Sequence, residues 1–186
     1  MTTRRTLRLL SALVLATGVA LTVSGAAANP QPPAGKGPPA GKGPLGKDKA
    51  FANDRDTFHF LLENHKEIKR SVKLLKNGVE TVTESDKPAV AKKIQEHVPA
   101  MYERLKSGNG VRYWDPLFAE AFKHGKKMKM VIEKTAKGVK VVETSDDDAV
   151  VKVIQAHADV VSKFVEKGFD EAHKKHPVPD KGKEKK

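Results

Sequence analysis

A stretch of 20 residues recurs in this chain at an offset of 60. Gly78–His97 reads GVETVTESDKPAVAKKIQEH and Gly138–His157 reads GVKVVETSDDDAVVKVIQAH, with 11 positions identical. The identities are Gly78/Gly138, Val79/Val139, Val82/Val142, Ser85/Ser145, Asp86/Asp146, Ala89/Ala149, Val90/Val150, Lys92/Lys152, Ile94/Ile154, Gln95/Gln155 and His97/His157. Self-similarity at a fixed period is the mark of a structural unit used more than once. The fold must therefore be one that two copies of a unit of about 60 residues can complete together.

Each copy reads in the same order. Ile68, Arg70, Val72 and Leu74 alternate along an extended segment, Asn77-Gly78 supplies a hairpin turn, and Val79 to Thr83 returns as a second strand. In the second copy Met128, Met130 and Ile132 alternate, Lys137-Gly138 turns, and Val139 to Val142 returns. Ser-Asp then marks a helix start in both, with Pro88 in the first turn of one helix and Asp146-Asp147-Asp148 at the positive end of the other. The apolar stripes Val90, Ile94, His97, Val98, Met101, Leu105 and Val150, Ile154, His157, Ala158, Val161, Val165 predict two long amphipathic helices ending near Gly108 and Gly168. Shorter helices precede the hairpins, after Asp54 (Phe58, Leu61, Leu62, His65) and after Asp115-Pro116 (Leu117, Phe118, Ala121, His124). The order α-β-β-α, twice, predicts an α+β fold: a four-stranded antiparallel sheet with helices on one face and a pseudo-twofold axis.

The flanks belong to other jobs. Arg4, Arg5 and Arg8 precede an apolar run from Leu9 to Val23, and Ala26-Ala27-Ala28 gives a small-residue cleavage site, so residues 1–28 read as an export signal. Thr3-Arg4-Arg5-Thr6-Leu7 resembles a twin-arginine signal, which leaves the Sec and twin-arginine routes to the periplasm or beyond both open. The run falls short of the about 20 apolar residues a membrane span needs. Residues 29–48, NPQPPAGKGPPAGKGPLGKD, read as a disordered linker, and 174–186 as a basic disordered tail around Pro177 and Pro179. The domain expected between them is 49–173, with repeats at about 54–108 and 115–168.

The stretches FHFLLENHKEIKR, GVETVTESDKPAVAKKIQEHVPAMYERL, DPLFAEAFKHGKKMKM and GVKVVETSDDDAVVKVIQAHADVVSKFV resemble a family of secreted bacterial hypothetical proteins. The resemblance covers nearly the whole domain. It implies an independently folding exported domain and assigns no site residue.

Charge and composition narrow the function. The chain is +12 overall, but residues 49–173 carry 23 basic against 20 acidic residues, so the excess sits in the flanks. With few aromatics and none interleaved with the lysines, specific nucleic-acid binding is not expected; weak attraction of the basic tails to anionic envelope polymers is. The absence of cysteine excludes disulfides, thiolate metal sites, iron–sulfur clusters and a cysteine nucleophile. There is no G-x-S-x-G elbow, Gly-rich phosphate loop or H-E-x-x-H pair, so no catalytic residue is named.

What remains is histidine. His97 and His157 occupy matched positions on the long helices, and His65 and His124 nearly matched positions at the ends of the short ones. A pseudo-twofold axis would bring the four imidazoles together. With Met101 one turn after His97, the set His65, His97, His124, His157 and Met101 suits copper, and the imidazoles alone suit zinc. The expected function is an exported transition-metal carrier, buffer or sensor. Non-covalent haem b held by His97 and His157 is the first alternative, and a ligand-free envelope interaction module with structural histidines the second. His173 and His176 read as residues of a solvated tail.

Overall fold

The structure, a computed structural model, describes residues 49–179. The segments expected to be an export signal (1–28) and a linker (29–48), and residues 180–186 of the expected tail, lie outside the described residues. No helix among the described residues is long and apolar enough to cross a membrane.

Alternating residues become strands where the sequence placed them: β1 (Ile68–Leu75), β2 (Gly78–Ser85), β3 (Lys129–Lys134) and β4 (Gly138–Thr144). All pairings are antiparallel and the sheet order is β1-β2-β4-β3, so the two hairpins join through β2 and β4. In this register Ile68, Arg70, Val72 and Leu74 share a face with Val79, Thr81, Thr83, Val139, Val141, Glu143, Met130 and Ile132. Helices α2 (Pro88–Ser107) and α4 (Asp148–Lys167) cover that face. Val90 and Ile94 of α2 pack with Val139 and Val141, and Val150, Val153 and Ile154 of α4 cluster with Val79. Full burial of such side chains contributes about 1.5–3 kcal/mol each, which is what fixes the register. Leu74, near the end of edge strand β1, is 66 % exposed although it shares the covered face.

Helix α1 (Lys49–Glu63) packs on α2, and α3 (Pro116–Lys123) packs on α4. Helix α1 begins before Asp54, earlier than the sequence pattern indicated. A four-residue helix, α5 (Phe169–Ala172), was not foreseen. Asp115 caps α3 by accepting from the Leu117 N–H, with Pro116 at the first position. Asp147 caps α4 through the Ala149 and Val150 N–H groups. The capping residue of α2 is Lys87, one later than the Ser-Asp signal suggested, because the Ser85 hydroxyl accepts the Lys87 N–H and Asp86 turns out to Lys69 and Lys137.

Contacts between the hairpins come in matched pairs. Ser85 N–H donates to Lys137 O, and Ser145 N–H to Asn77 O. Gln95 on α2 donates to Thr135 O at the β3–β4 turn, while Gln155 on α4 donates to Leu75 O and Gly78 O at the β1–β2 turn. Within each hairpin a second pair matches, Lys69 with Asp86 and Lys129 with Asp146. At both hairpin turns the glycine is required by contact: a Cβ on Gly78 would strike the Glu143 carbonyl oxygen, and one on Gly138 the Thr83 carbonyl oxygen.

Candidate functional site

The histidines of the sequence reading do not meet in one cluster. His65 lies in a 3-10 turn (His65–Glu67) rather than on α1, and its Nδ1 donates to Val165 O at 2.8 Å. Its ring also packs on Gly168, where a Cβ would come 2.6 Å from the ring, so His65 closes the C-terminal end of α4. His124 Nε2 pairs with Glu120 Oε1 at 2.9 Å, one turn back on α3. Among the described residues no group of three or more His, Cys, Asp or Glu side chains is arranged to hold a metal ion.

His97 and His157 behave differently. Both project from the covered faces of α2 and α4, and both meet phenylalanine: His97 stacks on Phe58 with centroids 6.0 Å apart, and His157 meets the Phe118 ring edge-on at 5.1 Å. Phe164 joins the two, 5.9 Å from both Phe58 and Phe118. Each histidine leaves part of its surface open, yet burial of the imidazole pushes its pKa down to about 4. For His157 the nearby Arg70, Arg112 and His97 push the same way, against Asp115. Both rings are therefore neutral at pH 7, each with a nitrogen lone pair. His97 Nδ1 is buried with no hydrogen-bond partner, a condition it shares among the described residues only with Arg112 Nε. Met101 sits half-buried one turn beyond His97.

Charged groups pack near this pair as well. Glu143 is buried on β4, and desolvation raises its carboxyl to about 7 in spite of Arg70. Burial lowers the Arg70 guanidinium to about 10; it donates to Thr83 Oγ1 at 2.5 Å and to Ser162 Oγ at 3.4 Å. The signal was present in the pattern: Arg70 falls in phase with Ile68 and Val72, and Glu143 in phase with Val139 and Val141, where an apolar side chain is expected. Arg112, in the left-handed region at φ 59°, sends its guanidinium among four rings, 4.4 Å from Trp114, 4.8 Å from Phe118, 5.2 Å from Phe164 and 5.9 Å from Phe58. It also donates to Ala172 O and pairs with Asp115. The solvated-tail reading of His176 fails. Its ring is buried, with Nδ1 2.7 Å from Asp115 Oδ2 and Nε2 3.3 Å from Glu171 Oε1. His173 is exposed, as expected.

Compared with models of protein families, with curated proteins and with solved structures, the chain matches none.

Proposed function

We propose that this chain is an exported transition-metal-binding protein, a carrier, buffer or sensor, that takes copper through His97 and His157 with Met101 as a third donor. The supporting observation is His97 Nδ1. An unpartnered buried nitrogen costs on the order of 1–3 kcal/mol, a cost that a bound ligand removes. Low imidazole pKa values favour metal over proton at envelope pH, since only the neutral ring has a lone pair to give. Copper comes before zinc because His65 and His124 are engaged elsewhere, and a structural zinc asks for four protein ligands. Two imidazoles and a thioether suit monovalent copper. Copper also comes before haem b on the same two histidines, because a porphyrin would have to displace the packed rings of Phe58, Phe118 and Phe164.

The fold under this site is, in the same proposal, a duplicated α-β-β-α unit with a pseudo-twofold axis through the β2–β4 junction. The matched Gln95/Gln155 and Ser85/Ser145 hydrogen bonds and the matched Gly78/Gly138 contacts support it. The arginine-led apolar segment at the start of the chain supports export.

The test is an anaerobic titration of residues 29–186 with cuprous ion against a chromogenic chelator. One copper per chain, lost in both His97→Ala and His157→Ala while circular dichroism reports the fold retained, is the expected result. Equal copper uptake by the folded variants and the parent would overturn the site. A chain that takes neither copper, zinc nor haem would leave the interaction module, its histidines serving as His65 and His124 do.

A further inference from the structure

The sheet ends on each side in a strand with one unpaired edge, β1 and β3. At the β3–β4 turn the Thr135 N–H donates to Gly138 O at 3.0 Å, so the bonds to β4 run through every second residue, Glu133, Val131 and Lys129. The backbone N–H and C=O groups of Met130 and Ile132 point the other way, off the sheet. The strand reads KMVIEK and pairs with β4 without a break in register, so neither proline nor a bulge blunts that edge.

Side chains decide what such an edge can accept. Lys129, Val131 and Glu133 lie on the sheet face away from α2 and α4, with Val131 68 % exposed. A second copy of β3, laid antiparallel about a twofold axis through Val131, sets Val131 beside its own counterpart and Lys129 beside Glu133 in both directions. Met130 and Ile132 then face Ile132 and Met130 of the second copy and exchange the outward backbone bonds. Facing residues keep to one side of the sheet, so no side chain changes face. Lys129 gives up little, because both ends of its pair with Asp146 are exposed. Lys140, opposite Glu133 on β4, is engaged with Glu80 at 3.1 Å.

The other edge fails the same test. At the offset of 60, Lys129, Val131 and Glu133 become Lys69, Ser71 and Lys73, so the same pairing of β1 would set Lys69 against Lys73 twice. Like charges directly opposite destabilise a strand pair. Strand β1, IKRSVKLL, has no acidic residue to offset them in any register. We propose that two copies of this chain associate through β3, edge to edge and antiparallel about Val131, forming one eight-stranded sheet with α2 and α4 of both copies on the same face. The join closes on itself, and the like-charged β1 at both ends stops further growth. One strand pair is small beside a standard protein interface, so the dimer is reversible and depends on concentration. It stands whether or not His97 and His157 hold copper.

The test uses residues 29–186, which keep every described residue. Sedimentation equilibrium from about 10 μM to about 1 mM is expected to pass from monomer to dimer mass. Glu133→Lys, which recreates the β1 charge pattern, is expected to weaken the dimer about tenfold, and Lys129→Glu with Glu133→Lys to restore it. The chain has no cysteine, so Val131→Cys reports the register. Its two copies would have Cα atoms about 4.5 Å apart, within disulfide reach, and should cross-link at least about tenfold faster than Ser71→Cys. Monomer mass over the whole range, a dimer indifferent to Glu133→Lys, or equal cross-linking of the two cysteine variants would overturn the proposal.

Discussion

Substitution of Gly138 by alanine probes the junction on which the whole sheet depends. The added carbon would lie 2.9 Å from Glu84 Cα, where two carbons settle at about 3.5–4.0 Å, and closer still to the Thr83 carbonyl oxygen. Both are backbone atoms of the neighbouring central strand, so no side chain can swing away. Overpacking that must move backbone costs about 3 kcal/mol, the upper end of the usual range. With an m-value of about 2 kcal/mol per molar urea, that lowers the unfolding midpoint by about 1.5 M with the slope unchanged. Gly108→Ala is the control: its Cβ would meet nothing within 4 Å, and only the left-handed backbone at φ 73° is strained, for about 1–2 kcal/mol. A Gly138→Ala midpoint within about 0.3 M of the parent would refute the close β2–β4 pairing at Gly138 and Glu84.

Buried titrating groups set opposite pH dependences. Glu143, raised from its usual 4.5 to about 7, contributes stability that is complete below about pH 4.5 and lost as the pH rises through about 7, so Glu143→Gln should gain about 3 kcal/mol at pH 8 and almost nothing at pH 4.5 in denaturant titrations. His97 and His157, lowered from 6.5 to about 4, contribute stability that is present above about pH 6.5 and lost as the pH falls toward 4, by about 3 kcal/mol per ring, so Glu143→Gln should show the steeper acid loss by the same titration. Gln155→Ala removes the side-chain hydrogen bonds to the Leu75 and Gly78 carbonyls and should cost about 1 kcal/mol, with faster amide exchange at the β1–β2 turn. His65→Ala should lower thermal stability by about 1 kcal/mol through the end of α4 while copper stoichiometry in the cuprous titration stays unchanged.

The repeat made the strands, both long helices and the Asp115 cap legible, because each rests on local periodicity or a capping residue. It was a poorer guide to the histidines. At the offset of 60, His65 matches Gly125 rather than His124, and the structure uses the two in parallel: His65 meets the end of α4 at Val165, and Gly125 the end of α2 at Leu105. Near-matching along the chain thus hid a capping role. Arg70 and Glu143 were legible as polar residues in the apolar phase of their strands. His176 left no such mark, because its partners Asp115 and Glu171 belong to other elements and only the folded chain brings Asp115 to it from 61 residues away.

The most direct test of copper binding is elemental analysis, with an absorption spectrum, of the protein isolated from its native source without chelator or affinity tag. Copper near one per chain, absent when both His97 and His157 are changed to alanine in a chain that still folds, is the predicted result. A colourless, copper-free protein that stays empty on titration would contradict it, and an intense Soret band would give the same two histidines to haem.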